Sequence, residues 1–230
     1  MSGPPVVNGR WDSAYHAPVL AAEILDLFGE ARTALDCTLG GGGHTLAMLE
    51  AGIERVTAID RDPEAIASAR ARLSAFESAG RLRIVQGNYA DAASLEGVAD
   101  QQFDAILADL GISSHQVDDA PRGFSFREGA PLDMRMGPDT DVTAADLLND
   151  LDEEELRQVF REYGDEPKAG RLAREIVRRR GNRPFVTSDD LVGAIRAVLG
   201  PRSAGGDFAR LFQALRIAVN DELVGVARAL

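Results

Sequence analysis

Two carboxylates, one histidine and a run of four glycines are the groups in this sequence best placed to do chemistry. Gly40-Gly-Gly-Gly-His44 follows a strand-like segment, Thr33–Cys37, and a helical pattern, Thr45–Glu50, begins at once. A second apolar segment, Val56-Thr-Ala-Ile-Asp60, ends in one carboxylate; a later one, Phe103–Asp109, ends in the other. Strand, glycine turn, helix, strand and acid form the layout of a nucleotide-type cofactor site. Glycines let backbone approach a ligand that side chains would block, and the N–H groups of a helix start can hold a carboxylate. Asp60, about 20 residues past the turn, suits a ribose diol. Asp109 stands at a strand's carboxyl end, where ligand crevices form in open α/β sheets. There it can accept a hydrogen bond from a substrate amine and orient its lone pair, with Ser113 or Ser114 as helpers. Each acid can equally cap the segment that follows it.

His44 reads as a helix-start histidine near the cofactor. With three histidines and one cysteine in the chain, and no spaced partners, a metal site is not expected. Tyr89 follows the third strand and suits either stacking on an adenine ring or plain packing. The turn departs from G-x-G-x-x-G: Thr45 occupies the third glycine position, which disfavours a dinucleotide and an NAD-dependent oxidoreductase.

The elements that must position these groups alternate. Strands are expected over 33–37, 55–60, 81–86 and 103–109, with helices over 18–28, after the glycines, and from Asp62-Pro63 to about 79. Such alternation implies a parallel sheet with right-handed crossovers. After Ser114 the pattern changes. Residues 115–142 show no periodicity, and 143–199 read as helices near 143–149, 152–163, 167–180 and 187–199. A loop over 200–206 leads to a final helix from Asp207 to the end. No fifth strand follows, so the rest of the sheet is expected beyond residue 230. The expected domains are 1–114, a cofactor-binding core; 115–206, a helical substrate-recognition insertion; and 207–230, a return to the core.

The single cysteine, Cys37, allows no internal disulfide and fits a reducing cytoplasm. No apolar run approaches the roughly 20 residues needed to span a bilayer. A net charge of −12 argues against electrostatic coating of nucleic acid, but leaves room for a local basic patch on a folded RNA. Lys168–Arg183 carries seven basic residues and one acid, and reads either as a phosphate-binding stripe or as a solvated helix face.

Further residues join these in a recognisable order: His16-Ala-Pro-Val-Leu20, Gly40–His44, Ala58-Ile-Asp-Arg-Asp-Pro63, Asp109-Leu-Gly-Ile-Ser-Ser114, Asp118–Phe126, Pro131-Leu-Asp-Met-Arg-Met136, Tyr163-Gly-Asp-Glu166 and Phe212–Asn220. In these the chain resembles the RsmH (MraW) family of small-subunit ribosomal RNA methyltransferases. The resemblance implies a class I methyltransferase (Rossmann-like) α/β fold with a helical insertion after strand four. It implies S-adenosylmethionine as cofactor and cytosine N4 in 16S rRNA of the small ribosomal subunit, near the decoding site, as target. By motif position it implies cofactor contacts at Gly42, Gly43, His44, Asp60, Tyr89, Asp109 and Gln116; the catalytic acceptor is expected to be Asp109, from its place at the strand end. His115 stands where members often have proline, and Asp207-Phe-Ala-Arg210 replaces a commoner His-Pro-containing run. A later Ser-Phe-His-Ser-Leu-Glu-Asp-type segment has no counterpart, which leaves a non-catalytic RNA-binding or assembly module as the alternative.

Overall fold

The computed structural model describes residues 10, 11 and 18–229; Tyr15, and His16 and Ala17 of the first motif, lie outside the described residues. Two compact units divide the chain: one comprises the residues up to His115 together with those from Val224, the other Gln116–Leu223.

The first unit is built on four parallel strands, β1 (Thr33–Asp36), β2 (Arg55–Asp60), β3 (Leu82–Gln86) and β4 (Ala105–Leu107), in the order β3-β2-β1-β4. Side chains alternate across a strand, so each strand feeds two layers. Ala34, Val56, Ala58 and Ile84 pack with Met48 and Leu49 of α2 (Gly43–Ala51) and Ile66, Ala69 and Leu73 of α3 (Pro63–Ser78). α1 (Ala21–Phe28) packs against α2. Leu35, Cys37 and Ile59 face the other way, against Val98, Leu95 and Phe103. α3 starts where the sequence places it: the Asp62 side chain accepts from the Glu64 N–H, and Pro63 occupies the first turn.

Strand four is shorter than expected. Its last ladder bond runs from the Cys37 N–H to the Leu107 carbonyl (2.8 Å), and Asp109 lies two residues beyond the strand. At its start the Asp104 carboxylate accepts the Arg32 and Thr33 N–H groups, both at 2.9 Å. No helix of the described residues is long and apolar enough to cross a membrane.

The second unit is helical: α4 (Ser114–Asp118, most of it in this unit), α5 (Ala144–Asp150), α6 (Glu153–Gln158), α7 (Ala169–Arg180), α8 (Ser188–Leu199) and α9 (Gly205–Asn220). The helix expected over 152–163 changes hand-spacing midway, closing in a π-turn over Val159–Tyr163. The single helix expected from Asp207 onward is two. Asp221 adopts a left-handed conformation (φ 50°) and separates α9 from α10 (Glu222–Ala229). α9 belongs to the second unit, and the chain rejoins the first only at Val224, whereas the sequence places that return at 207.

The unmatched stretch 115–142 is held by specific polar contacts. Gly123 turns at φ 72°, and a Cβ there would stand 2.2 Å from the Pro131 carbonyl oxygen, so only glycine fits. Met134 sits at φ 64° and is clamped by Asn220, whose Nδ2 donates to the Met134 carbonyl (2.7 Å) while its Oδ1 accepts from the Met136 N–H (2.9 Å). The motifs 118–126, 131–136 and 212–220 therefore meet in one place.

Candidate active site

The polar groups of the first unit gather at the carboxyl ends of β1, β2 and β4. The glycine turn leaves β1 and enters α2 through Gly42, whose φ of 74° places it in the left-handed region. No side chain caps α2, and its first turn carries no acid. The N–H groups of that turn have no intrahelical acceptor, and with the helix dipole they form a ready anion site. Side chains at Gly42 and Gly43 are disfavoured by the protein itself. A Cβ on Gly42 would stand 2.8 Å from Leu73 Cδ1, and one on Gly43 3.0 Å from the Pro18 ring. What these glycines offer a ligand is backbone.

Asp60 ends β2 and reaches back to the turn. Its Oδ2 accepts from the Gly40 N–H (2.7 Å) and its Oδ1 from the Asp62 N–H (2.9 Å). Each oxygen keeps a second lone pair. Burial pushes its carboxyl up to about 6, against the pull of those two hydrogen bonds. The acid thus shapes the turn as well as facing the crevice.

Asp36, at the end of β1, is a buried acid to which the sequence reading gave no role of its own. It is wholly buried. The Thr45 hydroxyl donates to its Oδ2 (2.6 Å) and the Thr38 N–H to its Oδ1 (3.1 Å). Burial raises its pKa against both hydrogen bonds. The signal was available: it ends β1 as Asp60 ends β2. Thr45, in the place of a third glycine, is the residue that ties α2 to this acid. The Thr38 hydroxyl in turn accepts from the Asp109 N–H (2.8 Å), so β1 sets the position of Asp109.

His44 is buried, with Nε2 2.9 Å from the Val19 carbonyl oxygen. A carbonyl can only accept, so Nε2 carries the proton. Nδ1 then faces Asp109, whose Oδ2 lies 3.8 Å away. Asp109 is partly exposed, with 37% of its side-chain surface open. Cys37 is no nucleophile here, because burial first and the Asp36 charge second push its thiol up to about 11.

The remaining expected contacts are placed as follows. Tyr89 opens a 3-10 turn after β3 and packs beside Ile59 and Val98; its hydroxyl stands 3.4 Å from where a Cβ on Gly225 would be. Gln116 is the first residue of the second unit and is buried. The arginines of α7 are largely engaged within their unit. Arg174 pairs with Glu153, Arg178 and Arg179 with Glu175, and, just past the helix, Arg183 with Asp190. Arg180 donates to the Leu148 and Leu151 carbonyls at the end of α5.

Comparison with known proteins identifies the family. Ribosomal RNA small subunit methyltransferase H of Gemmatimonas aurantiaca is 62% identical over 223 residues, spanning 97% of this chain and 70% of that protein. The protein of the same name from Heliobacterium mobile is 45% identical over 225 residues, spanning 94% and 72%. That from Beutenbergia cavernae is 46% identical over 231 residues, spanning 95% and 68%. The profile of the MraW methylase family matches residues 13–230, and the chain belongs to that family.

Proposed function

We propose that this chain transfers a methyl group from S-adenosylmethionine to the exocyclic N4 of a cytosine in 16S ribosomal RNA, near the decoding site of the small subunit. Its being an S-adenosylmethionine-dependent methyltransferase of small-subunit rRNA rests on its family and on 62% identity to a protein of that name. The base, the atom, the ribosomal particle as partner and the residue roles are our reading. That substrate places the work in the cytoplasm.

The observation that carries the site is the convergence of Asp60, Asp109 and the uncapped start of α2 at the carboxyl ends of neighbouring parallel strands. When bound, the cofactor supplies an electrophilic methyl group on a sulfonium. The N–H groups of Gly43 and His44 would hold its carboxylate, with Gly42 giving the backbone room to turn. Asp60 accepts from the ribose hydroxyls with its remaining lone pairs. Tyr89 would border the adenine, and Gln116 is a further cofactor contact by family motif.

Cytosine N4 is a poor nucleophile because its lone pair is delocalised into the ring. Asp109 accepts a hydrogen bond from the amine, turns the lone pair out of conjugation, and takes the proton the amine sheds. The Thr38 hydroxyl, accepting from the Asp109 N–H at 2.8 Å, fixes the backbone that carries this carboxylate. The target base has to leave any stack to reach this crevice.

Asp109→Asn keeps the shape and removes the basic oxygen. We expect its turnover on small-subunit particles to fall by about a hundredfold or more, with S-adenosylmethionine affinity nearly unchanged by calorimetry. Wild-type turnover in this variant would remove Asp109 from the mechanism.

A further inference from the structure

The seven basic residues of Lys168–Arg183 suggest an RNA grip, yet most of those arginines are already engaged by acids or carbonyls of their own unit. A different surface of the same unit combines an open ring with a cation. Phe126 is 42% exposed, although its neighbours Phe208 and Phe212 are buried. Phe208 lies 5.7 Å from it, tilted, and Phe212 6.0 Å from it, edge-on. These two rings hold Phe126 on one side, while 42% of its surface stays open to solvent. The Arg196 guanidinium, from α8, lies 5.4 Å from the Phe208 centroid, and no acid pairs with it among the described residues.

We infer that Phe126, backed by Phe208 and Phe212, with Arg196 over the Phe208 ring next to it, is a stacking platform for one unpaired nucleobase of the RNA substrate. Arg196 meets the adjoining phosphate. The inference rests on the reading of RNA as substrate. A rigid aromatic face takes any base, because every base has a π-face, and a cation beside it answers the backbone charge. One exposed ring beside one guanidinium matches a nucleotide in size; a stable protein interface needs about 800 Å² on each side. In a chain of net charge −12, an exposed arginine with no acid partner among the described residues, one ring away from Phe126, is also the kind of local attraction an RNA needs.

The probe is a short single-stranded oligoribonucleotide carrying 2-aminopurine, titrated onto the full chain with S-adenosylmethionine present. Stacking quenches the probe's fluorescence. Phe126→Leu keeps an apolar contact for Phe208 and Phe212 but removes the π-face. It is expected to abolish quenching, to weaken RNA binding about tenfold, and to raise KM for small-subunit particles while leaving kcat alone. Phe126→Tyr keeps the ring and should bind like the wild type. Arg196→Gln, an exposed change, should weaken binding and reduce the salt slope by about one; it carries the test if Phe126→Leu melts early. Undiminished quenching and affinity in Phe126→Leu, or a Phe126→Tyr as defective as Phe126→Leu, would overturn the platform. Methylation by a wild type whose Phe126 variants bind normally would sink the platform and leave the proposed function standing. Quenching without methylation would do the reverse.

Discussion

At the residue scale the site depends on carboxylates held where water is scarce. Asp60 is the clearest case. Burial raises its carboxyl to about 6, above the ordinary 3.8, so ionisation works against the folded state. The sign follows from linkage. The group's contribution to stability is greatest below about pH 4 and is lost as pH rises through about 6. A ligand that donates hydroxyl hydrogens to the carboxylate offsets that cost and needs the ionised form. S-adenosylmethionine affinity should therefore be level above about pH 7 and fall about tenfold by about pH 5. Calorimetry across that range checks it, and Asp60→Asn should bind weakly with no such pH dependence. Asp60 and Asp109 are legible in the sequence because each closes a short apolar run. Asp36 obeys the same pattern, but its use becomes visible only when Thr38 and Thr45 are seen to hold it.

At the scale of elements, the glycine turn and the start of α2 form one device. Gly42 combines a left-handed φ with a 2.8 Å approach of Leu73 to any added Cβ. Gly42→Ala should lose about 1–3 kcal/mol from backbone strain alone, and more where buried Leu73 has to shift. Urea unfolding reads the loss, and S-adenosylmethionine binding should weaken with it. In the second unit the joint between α9 and the π-turn rests on an ion pair. Glu166 is nearly fully buried and accepts from Arg210 at 2.6 Å, and its other oxygen accepts from the Lys168 N–H at 2.8 Å. Removing one partner of such a pair leaves a buried charge without its counter-ion. Arg210→Met should therefore destabilise the chain by about 3–5 kcal/mol, whereas the double change Arg210→Met with Glu166→Gln should recover much of it. Thermal melts of both variants decide this. The family motif Tyr163–Glu166 and the divergent Asp207–Arg210 thus acquire a structural job that neither shows alone.

For the molecule as a whole, charge and composition point away from electrostatic adhesion. The net charge is −12, and the arginine-rich helix spends its cations on Glu153 and Glu175, with Arg183 just past it on Asp190. RNA binding should then depend only weakly on salt. We expect a log–log slope no steeper than about −3, the release expected from a few phosphate contacts. Fluorescence anisotropy across a potassium chloride series measures it. A slope near −6 would mean that the α7 arginines exchange their acids for phosphates.

The sequence by itself determined the alternation of strands and helices, the parallel sheet, the glycine turn and two of its acids. These are local signals: apolar period, an Asp62-Pro63 helix start, glycines where the chain must turn. It also carried the family resemblance, since motif order survives without coordinates. The tertiary structure alone decided the end of strand four, where the Thr38 hydroxyl takes the Asp109 N–H from the ladder. It decided the break at Asp221, where no glycine or proline warned of it. It also showed that the α7 arginines are partnered and that Phe126 is open. Each of these depends on which residue from far along the chain arrives alongside, and spacing along a single chain does not encode that.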